Sequence, residues 1–358
     1  MKKSVFFAVI IAAMSFVSCE TNNSVSPSAK KTTLWLAYSP TNHAWGYIEK
    51  SGKWGILPTY QNALPFSCGM AKVQQDKSIF FIDESGEMVE GSMQPASYDL
   101  DHGFVYDFLR FREGNMYGMM DKSFNTILPA QFHQLGQMTS NGLVFAQKNN
   151  GDLFGYYDKE GNEVIAPRFK QADDFIDGYA TVKEGFVYYV INTIGDTLWN
   201  SSTNPLSNLG SKRFVMPVSY DQVSYGLFNE KGERVSENSF HNLVTDFYDG
   251  LAGVMGDNNK LGYINTSGDW EIEPKYYGSH NFSDGVAWVQ ESLAGEWILI
   301  NKSGAVQFRL EAGLWPVGSY ENGLCSIMKK SVPVEYLYID KKGKVIYFWN
   351  DSNGGIND

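Results

Sequence analysis

The 358-residue chain is poor in the groups that most catalytic and metal-binding sites rely on. It has three cysteines, Cys19, Cys68 and Cys325, and five histidines, His43, His102, His133, His241 and His280. Thiols so few and so far apart cannot form a disulfide framework, and no Cys or His pair has the spacing of a zinc site. The expectation for Cys68 and Cys325 is two buried thiols; a bond between them would require the chain to fold back on itself. Neither a phosphate-binding loop nor a dinucleotide fingerprint occurs, so no segment asks for a cofactor. Positive charge is also scarce, with 29 Lys and Arg against 40 Asp and Glu for a net charge of −11. Phosphate backbones reward basic surfaces, so this balance argues against nucleic acid as a partner. The one long apolar run, from Val5 to Val17, is too short for a stable bilayer-spanning helix.

That run follows Lys2 and Lys3 and reads as an export signal over residues 1–18. It ends in Phe16-Val17-Ser18-Cys19, which resembles the lipobox of bacterial lipoproteins, although Phe16 stands where Leu is usual. The resemblance implies that Cys19 is lipidated, with palmitate-type chains, and becomes the mature N-terminus. The plainer alternative is a secretory signal with a chance cysteine. Residues 19–33 are rich in Ser, Thr and Asn, lack a hydrophobic period and read as a flexible tether. Residues 34–348 then form one repetitive body, and 349–358 a polar tail.

What the chain has in abundance is aromatics, 15% of its residues, and 35 glycines. They recur in nine copies of one pattern. An aromatic strand ends in Asp, Asn or Glu, and three residues later a glycine follows: Gly52, Gly86, Gly161, Gly195, Gly232, Gly268, Gly304 and Gly343. In one copy, after Asp121, Phe124 takes the glycine position. The strand alternates with period two, as in Trp45-Gly46-Tyr47-Ile48-Glu49 and Phe154-Gly155-Tyr156-Tyr157-Asp158. Its interior glycine predicts a close approach, here expected from a neighbour's aromatic ring. The terminal Asp or Asn predicts a type I turn in which the side chain bonds local amides. Interchange of Asp with Asn tolerates loss of charge, so these positions read as turn formers rather than catalytic acids or calcium ligands.

After the turn comes a strand often closed by proline, as at Pro58, Pro129, Pro167 and Pro274. A second anchor follows, Phe66-x-x-Gly69, Phe175-x-x-Gly178, Phe247-x-x-Gly250 or Phe282-x-x-Gly285. Each unit therefore reads as three antiparallel strands whose aromatic face only a stacked neighbour can bury. The fold expected is all-β, a tandem array of about nine three-stranded antiparallel units. Units of about 36 residues, nine in number, fit an open solenoid-like superhelix better than a closed β-propeller, whose blades usually carry four strands in longer repeats.

On Trp45-Gly46-Tyr47-Ile48-Glu49-Lys50-Ser51-Gly52-Lys53 with Phe66-Ser67-Cys68-Gly69-Met70-Ala71 downstream, the chain resembles the WG-repeat family of bacterial β-repeat proteins. The resemblance spans residues 34 to 348 and is weakest between Gly195 and Lys212. It implies an exported or surface-associated binding or scaffolding protein and brings no catalytic residues. Together with the lipobox and tether, the chain is also similar to envelope lipoproteins of the Bacteroidetes type, anchored in the outer membrane with the body facing the periplasm or the outside.

The function expected is thus a non-catalytic envelope module that binds a protein or a polysaccharide and touches the membrane only through its lipid. Trp54 and Trp270 share one register, two residues after a turn glycine, and Trp288 and Trp315 fall outside the motif tryptophan position; these four are candidate ligand platforms, against the simpler reading that they pack between units. The alternative is a glycan hydrolase on a propeller, which needs two placed carboxylates. Asp173-Asp174 and Glu271/Glu273 are the available pairs, all in or near turn segments.

Overall fold

A computed structural model describes residues 34–350 except 96–97, 102, 220–223 and 244. Cys19, the signal and tether, His102 and the residues after 350 lie outside the described residues. All regular structure in the described residues is β, in nine small antiparallel sheets. Six sheets have four strands and three have three, and in every sheet the strands follow chain order. The fourth sheet is representative, with strands Gln134–Leu135, Leu143–Gln147, Phe154–Asp158 and Glu163–Phe169. The unit is therefore a four-stranded meander, not a three-stranded one. The strand missed from sequence is the first, which has only two residues in most sheets and so leaves no periodic signal.

The sheets form a closed ring like a nine-bladed β-propeller, which corrects the expectation of an open solenoid. The ring shuts by packing the ninth sheet, 314–350, on the first, Leu34–Ser39, Ala44–Glu49 and Trp54–Tyr60. Trp35, Ala37 and Ile48 cluster with Leu324, and Trp54, Tyr338, Ile346 and Tyr347 pack around them. In seven of the other sheets, the carbonyl of the third residue of the second strand accepts an amide from the first-strand segment, as Thr181 does from Asp173 and Trp288 from His280. At the equivalent place in the first sheet, Leu36 O accepts the Tyr338 hydroxyl at 3.0 Å. Two residues on, Tyr38 O accepts that of Tyr347 at 3.1 Å. Two phenols thus tie the seam through backbone oxygens that elsewhere serve the innermost strand.

At three other boundaries, first to second, fourth to fifth and seventh to eighth, a contact joins the two sequence anchors. Tyr47, Tyr156 and Tyr263, each 0% exposed, lie against Phe66, Phe175 and Phe282 of the following sheet, with ring centroids 4.6, 4.9 and 4.7 Å apart. Each tyrosine hydroxyl then donates to a carbonyl two residues before that phenylalanine: Leu64 O at 2.7 Å, Asp173 O at 2.8 Å and His280 O at 2.7 Å. A tilted or edge-on aromatic pair contributes about 0.5–1.5 kcal/mol beyond its buried area. The hydrogen bond adds about 1 kcal/mol and fixes the radial register. In the third-to-fourth junction Met119 and Met138 take the two positions within one apolar cluster.

The glycine before the tyrosine has a different role from the one expected. A Cβ on Gly155 would fall 2.5 Å from Ile165 O and 2.9 Å from Pro167 N; Gly46 and Gly262 face Pro58 and Pro274 in the same way. The approaching group is the backbone of the sheet's own outer strand, not a neighbour's ring. There the register slips, from Tyr156 opposite Ile165 to Phe154 opposite Phe169, and proline sits in the bulge. Proline therefore does not close this strand, which runs on to Phe169. A missing N–H is tolerated at a bulge, where the ladder is already interrupted.

The turns are as expected. In all eight Asp or Asn copies the side-chain Oδ1 accepts the amides two and four residues on, for example Glu160 N at 3.0 Å and Asn162 N at 2.8 Å at Asp158, or Ser303 N at 3.1 Å and Ala305 N at 2.9 Å at Asn301. Phe124 keeps the turn without a glycine, at φ 61°, and its amide donates to Asp121 O at 3.0 Å. Its buried ring packs between Phe81 and Phe104, which offsets the strained backbone.

Tyr156→Phe, which leaves Asp173 O without its donor, is expected to lower stability by about 1 kcal/mol. Gly155→Ala, which drives a methyl into backbone, is expected to cost more than Tyr156→Phe, as overpacked sites commonly lose about 1–3 kcal/mol. Chemical denaturation of both variants checks the order. Phe124→Gly relieves the backbone but removes a buried ring worth roughly 3 kcal/mol, so a net loss is expected in the same measurement.

Candidate binding faces

In a meander, the first-to-second and third-to-fourth turns emerge at one end of the sheet, and the second-to-third hairpin and the link to the next sheet at the other. The ring accordingly has a turn face and a link face. The turn face is acidic and heavily cross-tied. Asn141 Oδ1 accepts Gly178 N of the next sheet at 3.1 Å, Asp249 Oδ2 accepts Gly285 N at 2.7 Å, and Asp284 Oδ2 accepts Gly323 N at 2.5 Å. Lys302 and Lys341 each reach back to a carbonyl of the preceding sheet's turn, at Asp249 and Asp284. Hydrogen bonding to its own turn, led by Ser85, holds the Asp83 carboxyl below the usual carboxylate range. Carboxylates here are used to build the fold.

The link face differs in kind. Hairpin tips expose Leu153, Phe186, Leu293 and Val332, with Phe186 at 77% and Leu293 at 80%. Cations lie over aromatic rings around them: Lys170 over Phe186 at 5.0 Å, Lys183 over Tyr188 at 4.6 Å, Lys260 over Tyr277 at 4.8 Å and Lys330 over Trp315 at 4.2 Å. Such pairs hold a ring and a charge side by side at about 0.5–1 kcal/mol when exposed. A recess of about 410 Å³ opens in the fourth sheet beside this face, lined by Lys148, Asp152, Leu153, Tyr157 and Pro167 among others.

The candidate tryptophans scatter. Trp54 packs edge-on against Tyr347 at the ring seam, with centroids 5.4 Å apart, and Trp270 against Phe240 at 5.8 Å. Trp288 is 1% exposed, so it presents no face to solvent; its Nε1 donates to Cys325 Sγ at 3.3 Å. Trp315 alone of the four is exposed, at 37%. Sequence reasoning passed over Phe186, whose signal was an aromatic placed directly after Glu184-Gly185 at a hairpin tip, where polar residues are usual.

Neither carboxylate pair is assembled as an acid and base facing one cleft. Glu271 and Glu273 are alternate exposed positions of the outer strand Trp270–Tyr276. Asp173 accepts the Thr181 hydroxyl, and Asp174 turns inward between sheets, where its Oδ1 is buried without a hydrogen bond. It belongs to a polar wall built across four sheets. Lys72 donates to Leu100 O at 2.8 Å; Arg110 bonds Asp101 at 2.9 Å and Leu135 O at 2.7 Å; Gln137 donates to Asp101 at 2.8 Å. Burial, reinforced by the neighbouring Asp173 charge, raises the Asp174 carboxyl to about 6.

Cys68 and Cys325 are not joined by a disulfide; Cys68 is half-buried, whereas Cys325 is buried and its thiol pushed up to about 12, which leaves it a packing group rather than a nucleophile. His280 is half-buried against Trp297 and held below its ordinary value by desolvation, while His241 lies 3.3 Å from Asp257. Among the described residues no group of His, Cys, Asp and Glu is placed to hold a metal ion.

The Asp174 shift has a definite sign. Its folded-state value lies above the ordinary 3.8, so between 3.8 and about 6 the folded state binds more protons than the unfolded one. Stability from this group therefore rises as pH falls through about 6 toward 3.8. Asp174→Asn is expected to raise the melting temperature at pH 7 and to flatten its change across that window, measured by calorimetry at several pH values.

The profile of the WG containing repeat matches residues 45–77, 117–151, 154–185 and 262–292. Each match begins in the next-to-last strand of one sheet and ends beyond the second strand of the next, so the sequence unit straddles a sheet boundary and contains the Tyr–Phe contact, or its Met119–Met138 counterpart. No curated protein matches the chain. Among solved structures, the crystal structure of a eukaryotic initiation factor is similar at 11% identity with a TM-score of 0.62, over 89% of this chain and 96% of that one. At that identity the likeness concerns the fold alone. Lower similarities include BamB from Moraxella catarrhalis, at 10% identity and TM-score 0.41 over 72% of this chain and 88% of that one. The dihydro-heme d1 dehydrogenase NirN stands at 12% and 0.46 over 77% and 71%. In sequence and in structure, then, the chain is a ring of β-repeats, four of whose units match the WG containing repeat.

Proposed function

We propose that this protein is a non-catalytic binding or scaffolding module of the bacterial cell envelope, held at the outer membrane by acyl chains on Cys19, with a protein or polysaccharide as its partner. The observation that carries the reading is the contrast between the two faces. Both faces expose apolar side chains, Ile194 in a turn among them, but the turn face is cross-tied from sheet to sheet, and the link face sets cations over aromatic rings beside its exposed hairpin tips. Exposed groups of that kind are what recognition surfaces are made of, and a rigid ring presents them with little ordering cost. Trp315, exposed beneath Lys330, remains a candidate sugar-stacking ring on this face.

Retention of the mature chain on immobilised envelope polysaccharides, or recovery of a defined envelope protein with it, is expected without product release. Trp315→Ala should weaken polysaccharide retention by more than the loss of its contact with Trp297 lowers stability, whereas Trp54→Ala should mainly lower the melting temperature. Release of sugars from a glycan panel, abolished by Glu271→Gln, would replace the binding reading with the hydrolase. Metabolic labelling with an alkynyl fatty acid is expected to mark the wild type and not Cys19→Ala.

A further inference from the structure

We infer that the link face of the fourth and fifth sheets is the docking surface for a protein segment that carries both carboxylates and bulky apolar side chains. The inference rests on the binding reading and assigns it a place and a partner chemistry.

The arc is continuous. The recess of the fourth sheet ends at Pro167, in the outer strand Glu163–Phe169. Three residues past that proline the chain crosses to the fifth sheet, where Lys170 reaches over Phe186, itself 77% exposed. Leu153 lines the recess at 42% exposure, so each of these two neighbouring sheets offers an exposed apolar group at its second-to-third hairpin. Phe186 sits at the tip between strands Tyr179–Glu184 and Val187–Asn192 and packs on no other aromatic ring among the described residues. Burying it against a partner would contribute about 2–3 kcal/mol, enough for a central anchor.

Charge selects what accompanies the anchor. Lys148 lines the recess, Lys170 covers Phe186, and Lys183 covers Tyr188 while donating to its hydroxyl at 3.2 Å. Among the described residues none of these three forms an ion pair with a carboxylate of the chain, unlike Arg309 with Glu291 or Lys329 with Glu335 on the eighth and ninth sheets. Lys148, Lys170 and Lys183 outnumber the carboxylates beside them, Asp152 in the recess and Glu184 at the tip, so the surface keeps an excess of positive charge next to an exposed ring and complements an acidic, apolar segment. A sugar polymer would satisfy the cations and the ring but brings no apolar side chain to fill the recess.

The test uses the full mature chain and fluorescence anisotropy with four probes: a labelled peptide alternating Glu with Leu and Phe, its Lys-for-Glu counterpart, polyglutamate and polygalacturonate. The expected result is binding of the first peptide only, weakened by added salt. Phe186→Ser or Lys170→Glu should weaken it roughly tenfold or more with melting temperature unchanged, since both side chains are exposed. Preference for polygalacturonate with the same dependence on Phe186 would overturn the inference in favour of a glycan and leave the binding reading standing. Self-association of the chain abolished by Phe186→Ser, without peptide binding, would overturn it in favour of a second copy. No binding of any probe, or peptide binding indifferent to Phe186 and Lys170, would also overturn it. The binding reading itself would then stand or fall on retention through Trp315.

Discussion

Three boundaries of the ring rest on one contact: a buried tyrosine of one sheet set against a phenylalanine of the next and bonded to a carbonyl beside it. No sheet here is large enough to bury its own aromatic face, so neighbours supply the missing half of every core. The apolar clusters reflect this. Leu143, Tyr156 and Ile165 of the fourth sheet share one cluster with Phe175, Ala180 and Ile191 of the fifth. Stability is therefore distributed over boundaries, and the glycine that admits the outer-strand bulge matters because it sets where the tyrosine stands.

Much of this was legible in the sequence because each device has a local cause. The Asx turns follow from a side chain that bonds amides two and four residues away, and the glycine three residues on takes the positive φ. Both anchors of the boundary contact were visible as Tyr156 and Phe175, although not the fact that they meet. The two-residue first strand was invisible, since Gln171–Ala172 is too short for a period and is defined only by pairing with Val182 and Lys183. Missing it made the unit look three-stranded and the array open. Proline misled for a related reason: Pro167 reads as a strand terminator, but a bulge beside Gly155 lets the strand continue through it.

The candidate binding residues were less legible than the fold. Tryptophans outside the motif were a reasonable first search, yet Trp288 lies in the core and Trp54 at the seam. Exposure at a hairpin tip is a tertiary property, and Phe186 differs from the many core aromatics only in what does not cover it. The division of labour between faces likewise emerges from topology: antiparallel order places every Asx turn on one side, so the chain's excess of acid is concentrated where it stabilises turns, and the opposite side is free to vary.

The offset between sequence unit and sheet has a bearing on how such rings change size. Because a unit begins at a next-to-last strand and ends past the following second strand, duplicating or deleting one unit carries a whole boundary with it and leaves two half-sheets that complete each other. No strand shared by both ends has to be re-paired, since the seam is held by the phenols of Tyr338 and Tyr347 on backbone oxygens. Circumference is thus open to adjustment in whole steps, with the join between first and last copies demanding only two hydroxyls and an apolar patch.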